Sequence, residues 1–182
     1  MARSFLFLLA SSRTESNSEL LARRAAEQLP PDVRLRWLRL RDHPLPDFED
    51  IRHEGDGTWP APEGAAALLL DATLDATDLV IVSPLYWYSV SADAKRYLDH
   101  WAAWMRVPGV DFRQRMAGRT LWGVSALAGT DLRDAEPLVG TLRRSAAYMG
   151  MPFGGALLGR GNRPKDVLGD EDALRRAKTF FH

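Results

Sequence analysis

Phe5-Leu6-Phe7-Leu8-Leu9-Ala10-Ser11-Ser12-Arg13-Thr14-Glu15-Ser16-Asn17-Ser18-Glu19 is the stretch on which the fold turns. An apolar run stops abruptly in hydroxyls, one guanidinium and an amide, and a helix start follows. The run from Phe5 to Leu9 lacks period-two alternation, the pattern of a strand covered on both faces. Leu79 to Val82 and Leu121 to Val124 repeat it, and Phe153 to Leu158 supplies another strand. Val33 to Leu40 alternates instead, with Val33, Leu35, Trp37 and Arg39 against Arg34, Arg36, Leu38 and Leu40, which suits an exposed edge strand.

The segments between these runs carry helical spacing. Leu21, Ala25 and Leu29 recur after the first strand. Ala94, Tyr97, Leu98, Trp101, Trp104 and Met105 form an apolar stripe after the third. Leu138, Leu142, Ala146 and Met149 form another, with Gly150 placed just past the helix end. Alternating strands and helices call for a parallel sheet covered on both faces by right-handed crossovers. The expectation is one three-layer α/β domain over residues 1–182. Residues 41–64, rich in Pro, Gly, Asp and Glu around Leu45, Phe48, Ile51 and Trp59, break the rhythm. They read as a long loop whose aromatics suit a lid.

Composition narrows the function. A chain of 182 residues is long enough to bury roughly 70% of its unfolded surface without a covalent staple. Its 24 Lys and Arg balance 24 Asp and Glu, so no overall field favours nucleic acid or an anionic membrane. There is no cysteine, which excludes disulfides and thiolate metal sites, and His43, His53, His100 and His182 lack ligand spacing, so no metal is expected. The first apolar run is too short for a signal sequence, and no other approaches the roughly 20 residues of a membrane span. A soluble, cytoplasmic protein is expected.

Two loops carry the candidate chemistry. Ser11, Ser12, Arg13, Asn17 and Ser18 crowd a helix start, where backbone N–H groups, hydroxyl donors and the helix dipole together suit a phosphate. Ser16 with Glu19 forms an S-x-x-E capping box, which accounts for those two residues but not for the other donors. Neither G-x-G-x-x-G nor G-x-x-x-x-G-K-[ST] is present. After the third strand come Ser83, Pro84, Leu85, Tyr86, Trp87, Tyr88, Ser89, Val90 and Ser91. Three successive aromatics in a loop offer a surface for a flat ligand, or a cover for the core. In a sheet of order 2-1-3-4-5 the winding reverses between strands one and three, so both loops would line one crevice. A phosphate loop beside an aromatic loop fits a mononucleotide with a large planar ring, such as FMN.

The chain resembles the NAD(P)H-dependent FMN reductase family of the flavodoxin-like superfamily. Ser11 to Ser18 is similar to that family's S-x-R-x-x-S-N-[ST] phosphate loop. Pro84 to Ala92 with Lys95 and Leu98 is similar to its P-x-Y-x-x-S-x-[ST/P]-x-x-K-x-x-[LIF] loop, and Leu45-Pro46-Asp47-Phe48 resembles its L-P-x-F. Ala10 stands where the family often has Gly, and Ser125 to Asp131, read as the segment after strand four, lacks the glycine pair of many relatives. The resemblance implies a flavodoxin-like domain holding FMN by Ser11, Arg13, Ser16, Asn17 and Ser18 and by Pro84, Leu85, Tyr86, Trp87, Tyr88 and Ser89. It implies a ping-pong transfer of electrons from NADPH or NADH to a quinone, azo compound, nitro compound or free flavin, with no catalytic side chain. A flavodoxin-type electron carrier and a flavin-free interaction domain remain as alternatives. Lys95 and Asp99, four apart, read as a surface ion pair. Trp101, Trp104, Met105, Val107 and Phe112 suggest a homodimer, with some of them in the core.

Overall fold

The computed structural model describes residues 3–182; the first two residues of the expected 1–182 domain lie outside the described residues. The strands are β1 (Ser4–Leu9), β2 (Arg34–Arg39), β3 (Asp78–Val82), β4 (Thr120–Leu127) and β5 (Phe153–Arg160). They form one parallel sheet of order β2-β1-β3-β4-β5, as expected. Helices α1 (Asn17–Ala26), α2 (Gly64–Asp75), α3 (Ala92–Trp104), α4 (Phe112–Met116), α5 (Glu136–Tyr148) and α6 (Glu171–Ala177) lie between and after them.

Strand alternation sorts the core into two layers. Phe5, Phe7 and Leu9 face α1 and α6 together with Val80, Val82 and Trp122. Leu6 and Leu8 face the other way with Leu79 and Ile81, toward α2, α3 and α5. Every residue of β1 and β3 is buried, which is why their sequences carry no alternation. β2 is the exposed edge strand, with Trp37 stacked on Phe7 at 3.9 Å between ring centres. Gly150, at φ 69°, sits just past the end of α5. Among the described residues no helix is long and apolar enough to cross a membrane.

Three expectations change. β4 runs on through Ser125, Ala126 and Leu127, which pair with Leu158, Gly159 and Arg160. The hydroxyl of Ser125 interrupts the apolar pattern without ending the strand. Helix α2 appears where no stripe was read, because Gly64–Asp75 is apolar on nearly every side. Residues 43–63 do form a long irregular segment, but it lies along α3: His100 Nε2 is 3.0 Å from Pro46 O, Arg96 pairs with Asp47, and Phe48 packs on Trp59 and His100. The aromatics read as a lid are engaged by α3, and Leu45-Pro46-Asp47-Phe48 is the anchor.

Candidate functional site

The first loop leaves the sheet at Ala10, whose N–H still reaches Val82 O at 2.9 Å. The Arg13 N–H then donates to Ser11 Oγ at 3.1 Å, and Glu15 takes the left-handed conformation at φ 49°. Ser16 caps α1 by accepting the Glu19 N–H at 3.3 Å. The reciprocal half of the capping box is missing, because the buried Glu19 carboxylate turns to Arg23 at 2.8 Å and Arg39 at 3.0 Å. The backbone N–H groups of residues 14–18 have no protein acceptor among the described residues. Converging unpaired N–H groups at a helix start form an anion-binding concavity.

The structure brings the expected phosphate-loop residues together and gives several of them a second task. Ser11, Ser16, Asn17 and Ser18 are buried, and Arg13 is exposed with no ion pair among the described residues. Ser18 Oγ accepts the Ala126 N–H at 2.9 Å. Asn17 donates from Nδ2 to Arg163 O at 2.9 Å and accepts from the Val167 N–H, so its amide fastens the segment after β5 to the start of α1. Gly161 packs against that amide so closely that a Cβ would meet Asn17 Nδ2 at 2.7 Å. The hydroxyls of Ser11 and Ser16 accept backbone N–H groups and keep their own protons free for a ligand.

The second loop continues beside β4, with the Ser83 N–H on Val124 O at 3.0 Å and the Leu85 N–H on Ala126 O at 3.4 Å. Tyr86 and Ser89 then exchange backbone hydrogen bonds of 3.1 Å across a tight turn. Its central residues, Trp87 at φ 49° and Tyr88 at φ 64°, occupy the left-handed region that costs an ordinary residue roughly 1–2 kcal/mol. Trp87 is 93% exposed and Tyr88 54%. They do not cover the core. Leu85, Trp87 and Tyr88 border a hollow of about 330 Å³ with Leu127, Ala128, Gly129 and Asp134. A larger hollow, about 450 Å³, lies at the opposite end of the sheet beside Ser4, Arg34 and Asp75, away from both loops.

One residue joins the two loops. Ser91 caps α3 by accepting the Ala94 N–H, and its hydroxyl donates to Ala10 O at 2.6 Å. Its own N–H goes to Ser83 Oγ at 2.8 Å. On the far wall, the Arg133 guanidinium holds the Asp131 carboxyl down at about 2, beside the end of β4. Sequence reasoning placed both loops and singled out Ser125 to Asp131, which supplies Leu127, Ala128 and Gly129 of this wall, but missed Arg39, Arg41, the segment after β5 and Asp134. Lys95 and Asp99 do form the expected surface pair, at 2.5 Å.

A crevice at the carboxyl ends of β1 and β3, where the winding of the sheet reverses, is the nucleotide site of flavodoxin-like α/β proteins. Residues 4–157 match the family model for NADPH-dependent FMN reductase, and the chain belongs to that family of FMN- and NAD(P)H-using oxidoreductases. It is 28% identical over 171 residues to the Bacillus subtilis (strain 168) protein named "Putative NAD(P)H-dependent FMN-containing oxidoreductase YwqN", covering 93% of this chain and 92% of that one. Among solved structures, the Trp repressor binding protein from Bacillus subtilis superposes with a TM-score of 0.77 at 23% identity, covering 98% of this chain and 97% of that one. The FMN-dependent NADH-azoreductase from Bacillus anthracis str. Ames Ancestor, in complex with FMN, gives 0.69 at 16% identity, covering 98% and 96%. At these identities the structures establish the shared fold. The donor set of the first loop and the exposed rings of the second fit the two ends of FMN.

Proposed function

We propose that this chain is an FMN-dependent oxidoreductase that draws electrons from NADPH or NADH and delivers them in ping-pong fashion to a small acceptor, a quinone, azo compound, nitro compound or free flavin. The reading rests on one observation above all: the loops that leave the carboxyl ends of neighbouring strands β1 and β3, one with unpaired N–H groups at the start of α1 and the other with exposed rings, are joined by Ser91 and Ala10 where the reversal of winding opens a crevice. In it the phosphate end of FMN is held by Ser11, Arg13, Ser16, Asn17 and Ser18, with Asn17 and Ser18 contributing backbone N–H groups. Pro84, Leu85, Tyr86, Trp87, Tyr88 and Ser89 bound the ring.

When bound, FMN supplies the redox chemistry, accepting hydride from the nicotinamide and releasing electrons to the acceptor. The chain's own task is to position and shield. The turn at Trp87 and Tyr88 directs broad apolar surface into solvent at the crevice mouth, where a second planar molecule can stack. The Tyr86 and Ser89 backbone pair keeps that surface in place. No side-chain acid or nucleophile is assigned a step. The FMN-dependent NADH-azoreductase from Bacillus anthracis and the NAD(P)H:quinone oxidoreductase from Methanothermobacter marburgensis, the latter at 18% identity and a TM-score of 0.71, share this fold and lend support to an acceptor of this class.

The same proposal makes residues 1–182 one FMN-binding domain, places it in the cytoplasm where reduced nicotinamide is supplied, and has it act as a homodimer. Trp101, Trp104, Val107 and Phe112 are buried in the chain's own core, so they do not form the contact. Leu98, Ala102, Met105 and Tyr148 remain around a hollow of about 340 Å³ between α3 and α5, and that face is the dimer surface of this reading. Light scattering that returns a monomer mass at high concentration would remove the dimer alone.

The decisive experiment mixes the purified protein with FMN and NADPH or NADH under anaerobic conditions. Bleaching of the flavin absorbance, restored by a quinone, is expected. An unchanged spectrum with both nicotinamides overturns the enzymatic reading and favours an electron carrier. A protein that takes up no flavin at all favours an interaction domain.

A further inference from the structure

Two arginines at the end of β2 point at the outer side of the phosphate loop. Arg41 Nη1 donates to Ser12 O at 2.5 Å, and Arg39 Nη1 donates to Arg13 O at 3.4 Å. Arg39 is largely buried, with 16% of its side chain exposed, and its Nη2 is anchored 3.0 Å from the Glu19 carboxylate, itself 4% exposed. Arg23 holds the other Glu19 oxygen at 2.8 Å while its guanidinium stacks 4.5 Å over Trp37. A chain of fixed contacts thus runs from the sheet edge through Arg39 to the Arg13 carbonyl, and the half-exposed Arg41 separately holds the Ser12 carbonyl beside it.

The direction of those carbonyls decides where the neighbouring N–H groups point. Every described peptide bond is trans, and a trans peptide aims its N–H opposite its C=O. Drawing Ser12 O and Arg13 O toward β2 therefore sends the Arg13 and Thr14 N–H groups away from β2. β3, whose loop forms the other side of the site in this reading, neighbours β1 on the edge away from β2. The Arg13 N–H is taken up by Ser11 Oγ, whereas the Thr14 N–H has no protein acceptor among the described residues. A guanidinium on the Arg13 carbonyl also polarises that peptide and makes its N–H a stronger donor.

We propose that Arg39 and Arg41 are positioning residues of the nucleotide site, holding the Ser12 and Arg13 carbonyls outward so that the loop presents its N–H groups to the phosphate. The inference rests on the FMN reading given above and assigns neither arginine a contact with the nucleotide. Arg39 does its work as a fork, one nitrogen on Glu19 and the other on the loop, a geometry that a lysine cannot reproduce with its single point charge.

The test compares FMN with riboflavin, which has the same ring and no phosphate. Equilibrium binding is followed by flavin fluorescence for the wild-type protein, Arg39→Lys, Arg39→Gln and Arg41→Ala, with the urea midpoint of each variant measured alongside. Each variant is expected to bind FMN about tenfold more weakly, the loss of one well-aligned donor to a charged phosphate. Riboflavin affinity is expected to stay unchanged. Arg39→Lys should behave like Arg39→Gln despite keeping the charge. Wild-type FMN affinity in Arg39→Lys, or equal losses for FMN and riboflavin, overturns the positioning role. If the wild-type protein binds neither flavin, the FMN reading fails, and this inference with it.

Discussion

The indole Nε1 of Trp122 donates to Asp78 Oδ1 at 2.9 Å, joining β4 to β3 at the end of the sheet remote from the two loops. Arg3 holds both oxygens of the same carboxylate, at 2.9 and 3.0 Å, and Thr77 Oγ1 adds a fourth bond at 2.8 Å. Arg3 also reaches Phe181 O, so one buried carboxylate gathers both ends of the described chain. Asp78→Ala leaves the Trp122 N–H buried and unpaired and should cost about 2–3 kcal/mol of stability. Urea unfolding checks this, and FMN affinity of the folded variant should be unchanged.

Arg13 presents an exposed guanidinium on the loop between β1 and α1. Arg13→Ala is expected to weaken FMN binding by about 1.5–3 kcal/mol, roughly ten- to a hundredfold, while leaving stability within about 0.5 kcal/mol. Fluorescence titration measures the first and urea unfolding the second. Unchanged FMN affinity would take Arg13 out of the site.

The turn of Tyr86, Trp87, Tyr88 and Ser89 carries positive φ at both central positions, where an Asn-Gly pair sits without strain. The double variant Trp87→Asn, Tyr88→Gly is therefore expected to be more stable by about 1 kcal/mol or more. It should also lose turnover, because the stacking surface is gone, and kcat/KM for the nicotinamide is the quantity to measure. A less stable double variant would show that these rings hold the fold together.

Tyr97 is fully buried, with its hydroxyl 2.6 Å from Thr73 Oγ1, which in turn donates to Leu69 O. Burial pushes the phenol well above its ordinary value of 10.0, against a smaller opposing effect of the Thr73 hydrogen bond. The unfolded chain therefore loses this proton first as pH rises, so the contribution is complete below about pH 10 and declines above it. Tyr97→Phe should be less stable at pH 7 by about 1 kcal/mol. The gap to the wild-type protein should narrow between pH 10 and pH 11, as read from urea midpoints. A gap that widens with pH would contradict the assignment.

Much of this layout was legible in the residues, for identifiable reasons. β1 and β3 announced themselves because central strands must be apolar on both faces, and β2 because Leu35 and Trp37 alternate with arginines at an edge. α2 escaped because Gly64–Asp75 has no polar face to define a stripe, and the end of β4 because Ser125 resembled a loop residue. Both candidate loops could be located from the crowding of hydroxyls in one and rings in the other. What their side chains do could not. The Asn17 amide faces a carbonyl 146 positions away at Arg163, and the grip on Ser12 and Arg13 comes from a strand end that no local pattern connects to them. Such partnerships exist only once the chain is folded.

The hydroxyl of Ser91 on Ala10 O gives the crevice an outline set by protein alone. Whatever order the cradle needs is installed when the polypeptide folds, leaving little further entropy to lose when a nucleotide arrives. A site ordered this way gives up little freedom when flavin binds, and the bound nucleotide should in turn stabilise the folded chain by mass action.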